Sequence, residues 1–300
     1  MLRLAYISRI GYSFWDKQGR GERTISADWN TAVGKVIGAI GSPRFPGEVA
    51  GALRRLVRFD YMVMFAYCGD ARPLDIYDDF PVNKRRIFVS AYQEGPYLLD
   101  PFFLACSRQV EPNLYRLRDL APDRFYQSEY FRSYYVRTGL SEEIGYFVHL
   151  PGSVMAVISL MRADRSPAFS AREYRDLQAA EPVVRAAAEQ HWNELHRQFS
   201  DDEGEGSQAN IQHHIDHAFR TFGKSVLTPR ERDVVEYVLK GHSSEAIGKI
   251  LEISPGTVRI HRKNIYSKLR INSQGALFSQ FIRALTNEPA APRELSGAGS

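Results

Sequence analysis

Cysteine is scarce in this sequence, and long apolar runs are missing. Only two cysteines, Cys68 and Cys106, occur among 300 residues, and they lie far apart in no CxxC pattern. That usage excludes a disulfide framework and fits a reducing cytoplasm. No apolar run approaches the roughly 18 residues of a membrane-spanning helix, and the N-terminus lacks the apolar core of a secretory signal. We therefore expect a cytoplasmic protein with no membrane partner.

Signatures of catalysis are also missing. The sequence contains no GxSxG, HExxH, phosphate-binding loop or dinucleotide-binding GxGxxG pattern. Carboxylates that are adjacent in sequence, such as Asp78 with Asp79 and Glu142 with Glu143, lie on different faces, which favours solvated or capping roles over catalysis. We assign no catalytic residue and expect no cofactor. The sequence therefore predicts a protein that is not an enzyme.

One histidine pair has the spacing of a metal site. His213 and His217 are four residues apart and would share one face of a helix over 211–222. No cysteine or further ligand accompanies them, which favours a solvated linker helix over a metal site. We expect no bound metal.

The length and the charge distribution predict two domains. A chain of 300 residues can bury two cores, and its net charge of +4 is too mild to indicate nucleic acid by itself. Residues 200–210 are acidic, rich in glycine and serine, and contain no apolar residue larger than alanine, which is typical of a linker. We divide the chain into a loosely ordered extension over 1–28, a larger domain over 29–199, a linker over 200–222, a small domain over 223–286 and a flexible tail over 287–300.

The larger domain mixes helical and strand patterns. Apolar stripes predict helices over 29–40 and 45–58, and a long helix over 169–199 capped by Ser170. Alternating or apolar segments predict strands over 59–68, 74–80, 142–150 and 154–161. Strands in the middle with helices outside predict an α/β sandwich of PAS/GAF type. With an all-α C-terminal domain, the fold class is α+β.

Three helix start signals lie within residues 227–269. Thr228 can cap a helix with Pro229 at its first position and Glu231 completing a capping box. Ser243 can cap a second helix, and Ser254 a third. The third helix is basic, and no acidic residue occurs from position 255 to 270. Two helices joined by a tight turn, the second of them basic, predict a helix-turn-helix that enters a major groove.

This stretch resembles the DNA-binding domain of LuxR-type transcriptional regulators, whose pattern is LTxRE, a glycine, SxxTVxxH and IxxKL. The matching residues are Leu227–Glu231, Gly241, Ser254–His261 and Ile265–Leu269. The departures are Gly248 for the usual alanine, Glu252 for a usual glycine or asparagine, and Ser273 near a usual arginine.

The resemblance implies a homodimer that binds two half-sites of double-stranded promoter DNA. It implies base-edge contacts by Arg259 and Lys263 and an apolar contact by Ile260. It implies phosphate contacts by three further residues, Thr257, Arg262 and Lys268. The predicted long helix, through Leu177, Val184, Ala187 and Trp192, is our candidate for the dimer interface.

A second resemblance covers Phe88–Phe102, FVSAYQEGPYLLDPF. It is similar to a segment of the autoinducer-binding domain of LuxR-type quorum receptors, which reads W-x3-Y, a short loop and Asp-Pro. Tyr92 and Asp100 match the tyrosine and the aspartate, which in that family accepts a hydrogen bond from the amide of the signal. Phe88 stands in place of the tryptophan, so an indole N–H donor is lost. The sequence therefore disfavours a standard acyl-homoserine lactone and favours a small ligand bearing an amide, amine or ammonium.

Two interpretations of this segment stay open. In the first, a small-molecule effector contacts Phe88, Tyr92, Tyr97, Asp100, Phe102 and Phe103. In the second, Asp100 only caps the helix that begins at Pro101, and the aromatic rings are core. The second would fit a LuxR-type regulator that is controlled by a protein partner or by its own abundance.

Overall fold

The computed structural model describes residues 27–69, 71–200 and 218–287. The first two ranges contain a five-stranded antiparallel sheet in the order β2-β1-β5-β4-β3. Its strands are β1 Tyr61–Tyr67, β2 Leu74–Asp78, β3 Leu114–Arg116, β4 Leu140–Leu150 and β5 Val154–Ala163. The sheet and the C-terminal helices confirm the α+β class, whereas the PAS/GAF likeness remains a prediction. Most of the predicted extension and tail, and the pair His213 and His217, lie outside the described residues.

Helices surround the sheet and build the C-terminal part of the chain. The helical turn Val82–Arg85 is continued by a wider π-helix over Arg86–Ala91. The helices of the larger domain are α1 Ala27–Ala39, α2 Phe45–Leu56, α3 Val82–Arg85, α4 Pro101–Ser107, α5 Leu117–Leu120, α6 Glu129–Tyr134, α7 Ala171–His191 and α8 Arg197–Ser200. The helices of the small domain are α9 Pro229–Lys240, α10 Ser244–Leu251, α11 Pro255–Lys268 and α12 Gln274–Asn287.

The two faces of the sheet bury different side chains. Because successive residues of a strand point to opposite faces, β1 sends Val63, Phe65 and Tyr67 to one face and Met62 and Met64 to the other. We call the first the cavity face, because a small cavity lies on it, and the second the helix face, because α1, α2 and α7 cover it. The long pairing of β5 with both β1 and β4 fixes which side chains share each face.

Helix α7 differs from its prediction in length and in role. Ser170 caps it as predicted, in a capping box with Glu173, but the helix ends at His191 instead of 199. The four side chains of the predicted interface are buried in the core of the same chain, three of them in α7 and one just after its end: Leu177, Val184, Ala187 and Trp192. The prediction that they form the dimer interface is therefore wrong, since they already pack against the sheet and its helices.

The helix-turn-helix elements form where the sequence predicts them. Thr228 caps α9 in a capping box with Glu231, and Gly241 ends that helix in the left-handed conformation with φ of 94°. Ser243 caps α10 and Ser254 caps α11. The turn between them contains Glu252 at φ of 55°, a value that favours glycine or asparagine.

The small domain begins earlier than predicted. Phe219 and Phe222 are buried, and the ring of Phe219 stacks on Phe281 of α12 at a centroid distance of 4.8 Å. The described residues from 218 onward therefore belong to the helical domain and not to the linker, because their side chains fill its core. Ile250 of this domain, by contrast, is 44% exposed and lies outside the core.

The two domains touch at the start of the helix-turn-helix. The backbone N–H of Arg124 donates to the carbonyl of Gly241 at 2.9 Å, and the N–H of Ser243 donates to the Asp123 carboxylate at 3.0 Å. A Cβ on Gly241 would lie 2.9 Å from the Cα of Phe125, so only glycine fits this junction without a shift. These contacts join the end of α9 to the loop before α6.

Candidate functional site

A small cavity lies between the cavity face of the sheet and the helical segments over 82–107 and 129–135. Its volume is about 30 Å³, room for about two water molecules. Every lining residue is buried except Tyr134, which is half-buried and marks the side towards solvent. The lining residues are Val63, Phe65, Tyr67, Phe88, Tyr92, Asp100, Phe102, Tyr130, Tyr134, Tyr135, Glu143, Ser159 and Met161.

Asp100 both caps α4 and faces the cavity. Its Oδ1 accepts the backbone N–H of Phe102 at 2.8 Å, as expected for the residue before a helix that starts at Pro101. Its Oδ2 accepts the hydroxyl of Tyr92 at 2.8 Å, and Tyr130 donates to the same carboxylate. Because Tyr92 gives its one proton to Asp100, Tyr67 must donate to Tyr92 across the 2.9 Å between their oxygens.

Glu143 is a second buried carboxylate in the same wall. It accepts hydrogen bonds from the hydroxyls of Tyr135 and Ser159. Register explains the arrangement, because Glu143 pairs with Met161 and Ser159 lies one step diagonally away on β5. The interpretation of Glu142 and Glu143 as solvated was wrong for Glu143, which is 4% exposed. Glu142 points to the helix face, where it pairs with Arg116 and accepts the N–H of Phe169.

Burial governs the ionisation of this cluster. Removal from water raises the pKa of Asp100 to about 6, although the N–H of Phe102 and the tyrosine hydroxyls oppose the shift. Burial, and then repulsion by Asp100, raise the pKa of Glu143 to about 8. Burial also raises the pKa of the surrounding phenols well above the usual value, so Tyr67, Tyr92, Tyr130 and Tyr135 stay protonated. The cavity thus presents hydroxyl groups around two carboxyl groups that titrate near neutral pH.

The predicted ligand contacts divide into two groups. Phe88, Tyr92, Asp100 and Phe102 line the cavity. Tyr97 and Phe103 lie behind this wall, where their rings meet edge to face at 4.9 Å and Phe103 also packs on Tyr67. Whether any of the six contacts a ligand stays a prediction.

Sequence reasoning missed the wall that the sheet contributes, chiefly Tyr67, Glu143 and Ser159. A signal for Glu143 was present, since it occupies the same alternate positions of β4 as Gly145 and Phe147. A charged residue at an inward position of an apolar strand is unusual and marks a candidate site. Gly145 is also needed there, because a Cβ at this position would lie 2.8 Å from the ring of Phe102.

The predicted DNA-binding residues lie on α11. Arg259, Ile260 and Lys263 are exposed, and Ile260 is 61% accessible although it is apolar. Arg259 forms an exposed ion pair with Glu245 of α10 at 2.7 Å. Arg262 is half-buried beside the hydroxyl of Tyr266.

The remaining two predicted phosphate contacts already have protein partners. The hydroxyl of Thr257 lies 2.8 Å from the hydroxyl of Ser254. The ammonium of Lys268 pairs with the buried carboxylate of Glu231 at 2.7 Å. Lys268 therefore links α11 to the capping box of α9, and a phosphate contact by it stays a prediction.

Neither a membrane-spanning helix nor a metal cluster occurs in the described ranges. None of their helices combines the length and apolar character needed to cross a membrane. The same ranges hold no group of three or more His, Cys, Asp or Glu side chains arranged for a metal ion.

Comparison with known proteins adds three sequence matches. The model of the luxR family of bacterial regulatory proteins matches residues 225–279. A putative HTH-type transcriptional regulator in the exeN 3' region of Aeromonas salmonicida is 30% identical over 190 residues, which cover 63% of this chain and 96% of that protein. The monoamine regulon transcriptional regulator of Klebsiella aerogenes is 27% identical over 166 residues, covering 55% of this chain and 59% of that protein.

Two solved structures are similar at lower identity. The VqsR LBD domain of Pseudomonas aeruginosa is 24% identical, with a TM-score of 0.48, and the match covers 55% of this chain and 97% of that one. Escherichia coli SdiA is 17% identical, with a TM-score of 0.41, and the match covers 87% of this chain and 98% of that one.

Proposed function

Because the chain belongs to the luxR family of bacterial regulatory proteins, we propose that it is a transcriptional regulator whose larger domain senses a small molecule and thereby controls its helix-turn-helix. Family membership makes it a DNA-binding regulator rather than an enzyme. The proposed part is control by a small molecule. The observation that carries it is the small cavity with two buried carboxyl groups, since apolar packing alone gives no reason to keep such groups inside.

The cavity favours an amide- or amine-bearing ligand over a standard acyl-homoserine lactone. Asp100 and Glu143 supply acceptors, whereas Phe88 offers no N–H for a lactone carbonyl and stacks on Phe80 at 4.9 Å. The name of the Klebsiella aerogenes relative, which refers to a monoamine regulon, agrees with an amine. We propose a ligand that donates hydrogen bonds to these carboxyl groups.

A second candidate function is ligand-independent regulation by a protein partner or by abundance. It is favoured by the small volume of the cavity, about 30 Å³, and by the capping role that Asp100 already has. The two candidates differ in one expected result. Under ligand control, substituting Asp100→Asn abolishes the response of DNA binding to a small molecule, whereas under ligand-independent control there is no response to abolish.

We propose that two copies of the chain place α11 in successive major grooves of promoter DNA in the cytoplasm. The exposed cations Arg259 and Lys263 would reach base edges, and exposed Ile260 would contact a thymine methyl. Thr257, Arg262 and Lys268 would contact phosphates, Lys268 in exchange for part of its bond to Glu231. A single helix contacts few base pairs, which is why a homodimer on two half-sites is expected.

Communication between the domains has a short route in this structure. Gly95 lies between Tyr92 and Asp100 in sequence, and a Cβ on it would be 3.1 Å from the side chain of Leu285 in α12. A ligand that moves Tyr92 or Asp100 would therefore shift the loop on which α12 rests. The hydrogen bond from Ser243 to Asp123 is a second contact between the domains, and such a shift would strengthen or weaken it.

The DNA-reading role is tested with Arg259→Ala. We expect it to lower affinity for the cognate site by about 1–3 kcal/mol while changing affinity for random duplex much less, because a base contact is lost. The cognate site is first selected from a random duplex pool with the wild-type chain, and affinities are then measured by fluorescence anisotropy at fixed salt.

Arg197→Ala is the matched control for that experiment. Arg197 is an exposed arginine of the larger domain, paired with Glu194 in the same manner as Arg259 with Glu245. Removing it takes away the same charge without touching α11, so cognate affinity should stay within about twofold of wild type. An equal fall in cognate and random affinity for Arg259→Ala would contradict base reading.

A further inference from the structure

The charge balance of the cavity is one-sided. Two carboxyl groups, those of Asp100 and Glu143, face the same small space. Among the described residues that line it there is no lysine, arginine or histidine. Elsewhere in the chain, buried acidic groups do have cations; Glu231, 3% exposed, pairs with Lys268. The cavity is thus a small space with aromatic walls whose polar groups attract a positive charge and include no cation.

Neutral donors satisfy the carboxyl oxygens only in part. Asp100 receives an N–H and two hydroxyl groups, and Glu143 receives two hydroxyl groups. Such bonds leave the net charge of a buried carboxylate uncompensated, which is costly in a medium of low polarity. Without a cation, Glu143 responds by keeping its proton, since burial and the repulsion of Asp100 raise its pKa to about 8. The free chain therefore holds a proton where a cation could stand.

We infer that the occupant of this cavity carries a positively charged ammonium group, seated between Asp100 and Glu143, and that Glu143 is the residue that selects a cation over a neutral amide. This inference rests on the proposed function, because it concerns the same cavity. It narrows the ligand from any amide or amine to a protonated amine.

The geometry of the cavity fits an ammonium head group that enters from the side of Tyr134. An ammonium has three N–H donors and no acceptor, and so it matches a wall of carboxyl groups better than an amide, whose carbonyl would face them. Aromatic faces add attraction for a cation, and Phe65, Phe88 and Tyr92 line the space. The volume of about 30 Å³ suits the head group, and the rest of the ligand must leave past half-buried Tyr134.

When a cation binds, it replaces the proton on Glu143. An ammonium beside Glu143 favours the ionised carboxylate and lowers its pKa, so a chain that bound this proton when free releases it on binding. Affinity for a protonated amine should therefore rise with pH on the way to the free-state value of about 8. A neutral amide should bind without releasing a proton.

The test is titration calorimetry on the full chain with three probes: ethylammonium, 2-phenylethylammonium and neutral N-acetyl-2-phenylethylamine. Each is titrated near neutral pH in two buffers of different ionisation enthalpy, so that the difference in heat counts released protons. We expect at least one ammonium probe to bind with release of up to about one proton, and the amide to bind at least about tenfold more weakly.

Variants assign the effect to Glu143. Glu143→Gln keeps the size and hydrogen-bonding capacity of the side chain but removes its charge. It should weaken binding of the ammonium probe by about tenfold or more and abolish proton release, while leaving weak amide binding unchanged. Glu142→Gln, one residue away on the helix face, is the matched control and should leave ammonium affinity and proton release as in wild type.

Three results would overturn the inference: tighter binding of the amide, unchanged proton release in Glu143→Gln, or no heat with either ammonium probe. The affinity for cognate DNA, measured with and without each probe, separates this failure from that of the proposed function. If the amide alone changes DNA affinity, the inference fails and ligand control stands. If an ammonium binds as expected but DNA affinity does not change, the inference stands and ligand control fails.

Discussion

The two faces of the sheet differ in the chemistry of the side chains that they bury. The centre of the helix face is apolar, with Met62, Ile144 and Ile158 packed under α1, α2 and α7, and its charged groups, such as Glu142 and Arg116, form ion pairs. The cavity face interleaves apolar rings with tyrosine hydroxyls, a serine and two carboxyl groups. The strands are the same, so a single residue step along β4, from Glu143 to Ile144, crosses from one face to the other.

This difference indicates that the helix face stabilises the domain, whereas the cavity face contains groups that destabilise it. Close apolar packing on the helix face holds the strands in register, which keeps the opposite side chains in position. The cavity face contains groups that cost free energy to bury, and it is covered by short, irregular helices rather than long ones. Substitutions on the two faces should therefore differ in size and in their dependence on pH.

The largest effect is expected on the helix face, from Ile158→Ala. Ile158 is fully buried at the centre of β5, between Met64 and Tyr146. Removing its side chain should lower the free energy of unfolding by about 2–5 kcal/mol, because the neighbouring strands and helices cannot collapse into the space. Urea unfolding at several pH values measures the change, and a loss that varies with pH would contradict the assignment of apolar surroundings to Ile158.

An intermediate effect is expected from pH on the cavity face. The folded chain keeps a proton on Glu143 that the unfolded chain gives up, since the pKa rises from 4.5 to about 8 on folding. The stabilisation that this proton contributes is therefore fully present below pH 4.5, the pKa of Glu143 in the unfolded chain. It is lost as the pH rises towards about 8, the pKa in the folded chain, by at most about 1.4 kcal/mol per pH unit for one proton.

Glu143→Gln should flatten that decline, because the glutamine has no proton to lose. Ile158→Ala serves as the comparison, since it should lower the whole curve without changing its slope. A wild-type stability that rises between these two pKa values would show that Glu143 is ionised in the folded chain, contrary to the effect of its burial.

The smallest effect on stability is expected at the contact between the domains, from Leu285→Ala. Leu285 is half-buried and touches the loop at Gly95, so its loss should cost about 1 kcal/mol or less. Hydrogen exchange should nevertheless speed up in the segment 92–100, while β5 stays protected. Ile250→Ala, which removes an exposed side chain on α10, is the control and should leave exchange in this segment unchanged.

Local patterns made the helix-turn-helix predictable. Thr228 with Glu231, Gly241 and Ser254 act through neighbours within four residues, so their roles can be inferred from spacing alone. Asp100 was predictable for the same reason as a cap. Its second contact, with Tyr92 eight residues away, was not predicted, because the resemblance only assigned both residues to the same site.

The remainder depends on contacts between distant segments, which spacing does not encode. Glu143 meets Asp100 only because β4 lies beside β5 while the helices over 82–107 cover the same face. The end of α7 at His191 was also beyond a local pattern. There Phe45 of α2, far away in sequence, stacks on His191 and meets Trp192 edge to face. Both the meeting of Glu143 with Asp100 and the end of α7 depend on contacts between distant segments, so local patterns did not predict them.

The junction between the domains differs from the DNA surface in its response to salt. Arg124 and Gly241 meet through their backbones, Ser243 offers a backbone N–H to Asp123, and the missing Cβ of Gly241 makes the close approach possible. Contacts of this kind release few ions when they form, whereas cations on phosphates release many. Raising the ionic strength should thus detach the protein from DNA long before it separates the two domains. A salt titration can therefore weaken DNA binding selectively, so that the proposed coupling between the cavity and the helix-turn-helix can be tested while the two domains remain in contact.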